Sequence, residues 1–340
     1  MAGTAHTPVL ARAWSPRPYP QVLRGPGHRW WRPVLSLMVL CGGGLLLLVA
    51  VAVGSLALQL TGLLDIDAFT DVDDVGPEFL LANNLGLASL IPLVALAVRV
   101  GHGWRPRWVS SVAGGLRWCW LVLVAVVSGA IQAAGTVVLF LWDGAPSGRG
   151  QDVVLLLLVV ALTTPLQAAG EEYLFRGWMT QSLGSVFGHA AAGAVVTGAV
   201  SATLFALAHG QQDPYLFADR FAFGVLASAL TWVTGGLEAA IAVHSVNNVV
   251  VFVPVILTGG LADSLTATGL AWPFLVADLV LMALTGAVVV WLARRLRLQR
   301  LHLPPPMPPP MPPAMPYLGP PAWPVPDWVP PPSSGSIDPR

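Results

Sequence analysis

The stretch VVLLLLVVALTTPLQAAGEEYLFRGW, residues 153–178, joins a long apolar run to an abrupt cluster of charge. Its apolar half, up to Leu166, carries no ionisable side chain, and Glu171, Glu172 and Arg176 then follow within two helical turns. Ionisable groups at membrane depth are costly and are retained mainly where they face a cavity or a partner. The stretch therefore predicts a membrane helix that carries polar side chains for a reason other than solubility.

The composition of the whole chain indicates a membrane protein. Of the 340 residues, 55% are hydrophobic and only 10% are charged, whereas a soluble domain is typically about 25% charged. The chain lacks the polar side chains needed to cover a water-facing surface. Its formal net charge is zero, so no overall positive field indicates a nucleic-acid partner.

Apolar segments recur along the chain and predict an all-α fold, a polytopic transmembrane bundle of about eight helices. The first segment is longer than the ~20 residues that span a bilayer and too long for a cleavable signal peptide. It is predicted to be a retained anchor helix. The expected spans lie near residues 34–64, 79–100, 118–142, 153–169, 189–208, 221–236, 237–258 and 274–293.

Arginine is distributed unevenly between the connections. It clusters before the first span, after the second, and after the eighth, where the chain reads ARRLRLQR. Positively charged loops stay on the cytoplasmic side. The sequence thus predicts a multi-pass protein of the cell membrane with both termini in the cytoplasm.

The two ends differ from the predicted bundle, which covers residues 34–300. Residues 1–33 are rich in arginine and proline and are expected to form a disordered basic arm. Residues 301–340 contain 17 prolines, which favour extended polyproline II conformation. This tail is expected to be disordered. It is either a flexible extension or a docking segment for a proline-binding partner.

The charged cluster at 171–176 has a defined geometry on a helix. Glu172 and Arg176 are four residues apart on one face and can pair. Glu171 is rotated by about 100° and is left free to face something else. The simplest interpretation of this cluster on its own is a salt bridge at the end of a membrane helix.

Further polar residues stand out in the apolar helices downstream. His209 ends the stretch LFALAHGQQ, four residues after Phe205, and His244 and Asn248 are four apart near the start of the seventh span. Each alone is typical of hydrogen bonding between membrane helices. Together with Glu171 they supply a general base and the donors that stabilise an oxyanion.

A metal site is the other chemistry open to these residues. A glutamate and two histidines, here Glu171, His209 and His244, could hold a divalent ion such as zinc and leave a coordination position for water. The soluble-enzyme signature HExxH is absent, so the ligands would have to come from separate helices.

Three motifs in order resemble the CPBP family of intramembrane proteases, also called Abi or CAAX-processing proteases, which includes the eukaryotic Ras-converting endopeptidase. The motifs are Glu-Glu-x-x-x-Arg at 171–176, Phe-x-x-x-His at 205–209 and His-x-x-x-Asn at 244–248. They fall within residues 150–255, under a third of the chain.

The resemblance implies a hydrolase that cleaves peptide bonds of membrane-associated or lipidated substrates in a cavity in the cytosolic half of the membrane. It implies that Glu171 and His209 activate water and that His244 and Asn248 stabilise the oxyanion. It also implies a supporting role for three further residues: Glu172, Arg176 and Phe205. Both a metalloprotease and a glutamate-type scheme use the same side chains.

Two alternatives to an endopeptidase fit the sequence less well. The first is a catalytically silent scaffold or binding protein of the same fold, which departures from the motifs would favour. The second is a transporter with a Glu/His proton relay, which would predict internal repeats. The seven motif positions are intact and no repeat is visible.

The predicted spans raise one topological difficulty. If each span simply crosses the membrane, Glu171 and His209 lie at opposite ends of consecutive helices. A shared site then requires a tilted, broken or re-entrant helix around 170–190, where Gly184 and Gly188 would permit a break.

Overall fold

The computed structural model describes residues 15–25, 27–62, 75–144 and 148–303. The first 14 residues and the proline-rich tail from residue 304 lie outside the described residues. The expectations of disorder and of a proline-binding partner for those segments therefore stay predictions.

The described chain is built from helices, as predicted. In chain order the α-helices are α1 (Arg32–Leu60), α2 (Pro77–Ala88), α3 (Leu90–Ala97), α4 (Arg107–Ser110), α5 (Trp118–Asp143), α6 (Val153–Glu172), α7 (Thr180–Gly184), α8 (Ala190–Leu207), α9 (Pro214–Thr234), α10 (Glu238–Thr258), α11 (Leu261–Thr266) and α12 (Trp272–Arg295). Two π-helical turns, Val98–His102 and Tyr173–Met179, and a 3₁₀ turn, Tyr19–Gln21, complete the helical elements. In the described part of the chain, strand structure is limited to β1 (Arg17–Pro18) and β2 (Leu301–His302), which pair antiparallel.

Eight helical segments in the described residues are long and apolar enough to cross a membrane, which confirms the predicted number. Two of them combine several elements: α2 and α3 continue through a π-turn to His102, and α6 continues through the second π-turn and α7 to Gly184. The outward faces are lined with exposed leucine and valine, as expected for surfaces in contact with lipid rather than water.

The fourth span resolves the topological difficulty without a break. It runs as one helical segment from Val153 to Gly184, 32 residues, or about 48 Å at 1.5 Å per residue. That length exceeds the ~30 Å hydrocarbon core, so Glu171 lies inside the bundle rather than at an end. The boundary predicted near 169 is therefore too early, and of the tilted, broken or re-entrant helix that the sequence allows, the break is absent between Val153 and Gly184. Gly184 ends the helix instead of interrupting it.

The arginine-rich connections converge at one end of the bundle, called the arginine-rich end and formed by residues 17–32, 99–117, 185–188, 234–238 and 294–302. Hydrogen bonds join these segments: Arg117 donates to the carbonyls of Thr234 and Gln299, and Arg24 donates to that of Ser185. Arg117 also pairs with the fully buried Glu238 at 2.6 Å.

The opposite end of the bundle is formed by residues 148–150, 208–213 and 257–271. Here Gly150 donates its N–H to the carbonyl of Leu257, and Asp213 donates its N–H to that of Thr268. The Asp213 carboxylate caps α9 through the N–H of Leu216 and also accepts from the N–H of Leu270.

The segment before α1 is ordered in part, which the composition did not predict. Tyr19, Val22 and Leu23 are buried, and the Tyr19 hydroxyl donates to the Val109 carbonyl. Three apolar side chains of the described residues 15–25 thus pack onto the arginine-rich end, while the extent of the disordered arm expected over residues 1–33 stays a prediction.

Helix α10 occupies the centre of the fold and positions the polar residues. It packs against α5, α6 and α9, while α2 packs against α6 and α8 against α9. The approach of α2 to α6 is close: a Cβ on Gly170 would lie 2.1 Å from the Leu87 carbonyl oxygen. Small residues at such contacts are typical of membrane helix pairs.

Candidate active site

Glu172 is the most deeply buried acid of the motif and holds two partners. Arg176 Nη1 donates to its Oε1 at 2.9 Å, the i to i+4 pairing that the spacing predicts, and both side chains are fully buried. The same oxygen accepts from His244 Nδ1 at 2.8 Å. A carboxylate can only accept, so Nδ1 of His244 carries the hydrogen. Glu172 therefore fixes the orientation of two side chains, the Arg176 guanidinium and the His244 ring.

Glu171 presents one carboxylate oxygen that has no hydrogen-bond partner among the described residues. Its Oε1 accepts from Gln167 Nε2 at 2.7 Å, and its Oε2 is buried and lies 3.6 Å from His244 Nε2. That separation is longer than a hydrogen bond. Buried acceptors are normally satisfied, so a water or a substrate proton is the expected partner of Oε2.

Gln167 connects Glu171 to a second helix. Its Oε1 accepts from Asn248 Nδ2 at 3.0 Å while its Nε2 donates to Glu171. These two hydrogen bonds together orient the amide of Asn248 on α10 and the carboxylate of Glu171 on α6. Sequence reasoning missed Gln167, although its position four residues before Glu171 was a usable signal.

His209 lies just beyond the end of α8, and its tautomer follows from its contact. Its Nδ1 lies 2.7 Å from the Phe205 carbonyl oxygen, which can only accept, so Nδ1 carries the hydrogen. Burial lowers the pKa of His209 below its ordinary value of 6.5, against the opposing effects of the Phe205 carbonyl and the Glu171 charge. The ring is therefore neutral at pH 7, with its Nε2 lone pair available to accept a proton.

Phe205 lies between the charged and the imidazole side chains. The Arg176 guanidinium is 4.4 Å from its ring centroid, within the range of a cation–π contact. The rings of His209 and His244 lie 4.7 and 5.8 Å away, both edge-on. Phe205 thus holds the two histidines apart and covers the buried arginine, a structural position that matches its predicted supporting role.

The predicted catalytic residues share one cavity of about 620 Å³. Glu171 lines it from α6, His244 and Asn248 line it from α10, and His209 lines it from just beyond the end of α8. Glu172 and Arg176 are fully buried behind this wall. The structure therefore brings the four predicted catalytic side chains together and leaves two supporting ones underneath.

Several polar residues of the cavity wall were not identified from the sequence. Asn84 on α2 donates to the hydroxyls of Thr163 and Thr164, tying α2 to α6. Asp219 and Arg220 line the wall from α9, and Arg220 donates to Gln212 Oε1 at 2.8 Å. The adjacent Asn83 and Asn84, and the adjacent Asp219 and Arg220, stand out in the sequence because each pair lies inside an apolar span.

The three predicted metal ligands lie on α6, on α10 and just beyond the end of α8. Among the described residues, no three His, Cys, Asp or Glu side chains are grouped so that they could hold a metal ion. His244 directs Nδ1 to Glu172, and His209 directs Nδ1 to a carbonyl. Each histidine thereby keeps its Nε2 free, as metal-ligating histidines usually do, so a divalent ion held by Glu171, His209 and His244 stays a prediction.

The geometry defines a class: a multi-pass helical membrane protein with a carboxylate, two imidazoles and an amide around one internal cavity. Residues 151–250 match the family model described as type II CAAX prenyl endopeptidase Rce1-like. This match confirms the resemblance to the CPBP, or CAAX-processing, protease family that the three motifs indicate, over 100 of the 340 residues. No curated protein and no solved structure matches the chain.

Proposed function

We propose that the protein is an intramembrane endopeptidase that hydrolyses peptide bonds of membrane-associated or lipidated substrates with water activated by Glu171 and His209. The observation that carries this proposal is the buried Oε2 of Glu171, which has no hydrogen-bond partner among the described residues and lies on the wall of a cavity that both histidines also line. The match to the family model supports the reaction class.

The first step is attack by water on the scissile carbonyl carbon. Glu171 Oε2 accepts a proton from the water as its oxygen bonds to carbon, and His209 Nε2 accepts the hydrogen bond from the second O–H. Gln167 holds the other carboxylate oxygen, so Oε2 keeps its position. A general base positioned in this way typically contributes about 10²–10⁴-fold to the rate.

The second requirement is stabilisation of the tetrahedral oxyanion. Asn248 uses one amide hydrogen on Gln167 and has a second available for the oxyanion. His244 is the second donor when its Nε2 carries a hydrogen, because Glu172 holds the ring through Nδ1 with Nε2 on the side of Glu171. Donors fixed in advance in a site that excludes water are worth several kcal/mol.

The third step completes hydrolysis. The proton on Glu171 passes to the amide nitrogen, the C–N bond breaks, and the products are an amine and a carboxylic acid. The base that took the proton from water thus returns it to the leaving group, so the enzyme ends the cycle in its starting protonation state.

An apolar chamber beside the site supports a lipidated or strongly apolar substrate. A cavity of about 400 Å³ between α5, α9, α10 and α12 shares Phe223, Val251 and Met282 with the site cavity. Pockets lined mainly by apolar side chains with a few polar groups are typical ligand sites. The scissile bond would lie at the polar groups and the apolar chain in the chamber.

The test compares the peptide termini of membrane proteins in cells that carry the natural chain, the Glu171→Gln variant or the Glu78→Gln variant. Gln keeps the shape of the side chain and removes its basicity, and the exposed Glu78 is the matched control. Specific termini should vanish with Glu171→Gln and persist with Glu78→Gln. Identical profiles from all three, at equal expression, would favour the silent scaffold.

The same preparations decide between the two chemical schemes. With purified protein and a substrate found in that comparison, we expect cleavage to persist after a chelator has removed divalent metals. Loss of cleavage that zinc restores would overturn the metal-free mechanism and show that Glu171, His209 and His244 close around an ion during turnover.

A further inference from the structure

The arginine-rich end of the bundle carries far more positive than negative charge. Its segments contain 12 arginines, four in each of residues 17–32, 99–117 and 294–302, and a single acid, Glu238. Glu238 is fully buried and pairs with Arg117. No second carboxylate occurs in these segments, so the excess of positive charge there has no counter-charge within this end.

Three nitrogen-bearing side chains meet at this end and are called the cationic cluster: His28, Arg32 and His102. Arg32 begins α1, His28 lies just before it, and His102 ends the second span. Arg32 Nη1 donates to the His102 carbonyl. The ionisable groups that act on the His102 ring are His28 and Arg32, and those that act on His28 are all arginines. The cluster therefore joins three parts of the chain and has cations as its charged neighbours.

Each side chain of the cationic cluster has a buried nitrogen with no hydrogen-bond partner among the described residues. The three atoms are His28 Nδ1, Arg32 Nε and His102 Nδ1. His102 is only 1% exposed, and its Nε2 lies 2.7 Å from the Ser182 hydroxyl. Buried polar groups are normally hydrogen-bonded, and buried charges are normally paired. An anion at the cluster meets both requirements.

Two glycines border the Arg32 guanidinium. A Cβ at Gly103 would lie 3.3 Å from Nη1, and a Cβ at Gly27 would lie 3.8 Å from Nη2. Both glycines are exposed, and Gly103 has a φ of +72°, which favours glycine. Bare backbone rather than side chains thus flanks the guanidinium, and a phosphate group can approach it. Arginine binds phosphate through two parallel N–H donors.

The depth of the cationic cluster in the membrane indicates the source of the anion. Trp30 and Trp31 precede α1 and are 77% and 43% exposed, and the Arg32 guanidinium lies 5.8 Å from the Trp31 ring. Exposed tryptophan at the end of a span is typical of the membrane–water interface, and the loop arginines predict that this end faces the cytoplasm. Lipid phosphates lie at this depth, and basic pockets between helices on the cytoplasmic side bind anionic headgroups.

We propose that His28, Arg32 and His102 form a binding site for the phosphate group of an anionic phospholipid on the cytoplasmic side of the membrane. The bound lipid links α1, the segment before it and the end of the second span, and it stabilises their junction. The residues of this site do not line the cavity that contains Glu171. Lipid binding there does not depend on peptide hydrolysis.

Lipid titration of the purified full-length chain tests the proposal. The protein is delipidated in a non-ionic detergent and phosphatidylglycerol is added. Native mass spectrometry counts the bound lipid, and the melting temperature is recorded at each step. Two variants change the cationic cluster, Arg32→Gln and His28→Ala, and Arg105→Gln removes an exposed arginine from the same end as the matched control. His28→Ala breaks no hydrogen bond of the ring among the described residues, so it stays informative if Arg32→Gln fails to fold.

We expect one phosphatidylglycerol molecule to bind the natural chain more tightly than any further lipid and to raise its melting temperature. Arg32→Gln and His28→Ala should each weaken this binding on the order of tenfold, as is usual when a hydrogen bond to a charged group is lost. Arg105→Gln should leave it unchanged. Equal weakening by Arg32→Gln and Arg105→Gln would reveal a diffuse effect of surface charge and would overturn the proposal.

Two further additions identify the source of the anion. Phosphatidylcholine, whose headgroup has no net charge, and inorganic phosphate should each raise the melting temperature less than phosphatidylglycerol at the same concentration. An equal effect of phosphatidylcholine would mean that the negative charge of the lipid is not recognised. An equal effect of inorganic phosphate would assign the site to a soluble anion. Either result would overturn the assignment to an anionic phospholipid.

Discussion

Glu172 illustrates how a charge is retained inside an apolar bundle. A single buried carboxylate costs several kcal/mol unless it is paired. Here Glu172 pairs with Arg176, His244 contacts the same carboxylate, and the ring of Phe205 covers the Arg176 guanidinium. Removal of one partner from such a pair typically costs about 3–5 kcal/mol. The network also holds the His244 ring through its Nδ1, so the cost of burying this charge is tied to the geometry of the site.

The pH dependence of activity should report the neutral state of His209. Burial lowers the pKa of this imidazole below 6.5, so the base form persists as the pH falls through 6.5 and is lost only at the lowered pKa. We expect the acidic midpoint of kcat/KM to lie below 6.5. A pH–rate profile of the purified protein measures it.

The matched control for this profile is His189→Gln, because His189 is exposed and lies outside the cavity. That variant should reproduce the natural profile. An acidic midpoint above 6.5 in both proteins would mean that His209 is charged near neutrality and is not the proton acceptor.

Residue spacing predicted the local contacts and missed the long-range ones. The pairs Glu172–Arg176 and Phe205–His209 are i, i+4 neighbours whose contact follows from the helical repeat alone. The bonds from His244 to Glu172 and from Asn248 to Gln167 join helices 72 and 81 residues apart in sequence. Such contacts depend on how helices pack, and no local pattern encodes that packing.

At the scale of elements, the sequence predicts too short a fourth span, because charged residues usually mark the end of a membrane helix. Arg176 neutralises Glu172 locally, so the helix continues to Gly184. The turn Tyr173–Met179 is π-helical, and such turns are frequent at functional sites because they shift the side chains that follow them.

The close contact of α2 with α6 allows a test of whether it positions Glu171. A methyl group added at Gly170 would disturb that contact. A Cβ at Gly170 would meet the backbone of Leu87 and Ala88 at 2.1–3.1 Å, so the two helices must separate beside Glu171. We expect Gly170→Ala to lower kcat/KM on the order of 100-fold, the usual cost of a misplacement near 1 Å, and to lower the melting temperature in detergent.

Gly86→Ala is the control for this substitution. Gly86 lies on α2 next to Leu87, but nothing lies within 4 Å of a Cβ built there. Since alanine favours a helix over glycine by about 1 kcal/mol, this variant should keep its activity and melt no lower than the natural chain. Equal behaviour of the two variants would show that the close approach of the helices does not position Glu171.

At the scale of the whole molecule, the segment before α1, residues 15–25, packs against the arginine-rich end and is expected to stabilise it. Leu23 is 1% exposed, whereas Leu303, also at that end, is 60% exposed. Leu23→Ala should lower the free energy of unfolding by about 2–5 kcal/mol, as for other buried leucines. Denaturant or thermal unfolding of the purified protein in detergent measures the change.

Leu303→Ala should change the free energy of unfolding by no more than about 0.5 kcal/mol, as is usual for exposed sites. If Leu23→Ala is equally harmless, the segment 15–25 does not contribute to the stability of the bundle, and its packing is of no consequence for the fold.

The sequence alone determined that the chain is a helical membrane protein with about eight spans, because hydrophobicity and length act locally and add along the chain. It also indicated the family, through three short motifs within the residues 151–250 that match the family model. Only the tertiary structure decided that Glu171 faces His244 and that Gln167 joins the site. Those features depend on the lengths, offsets and packing of separate helices, which hydrophobic patterns do not specify.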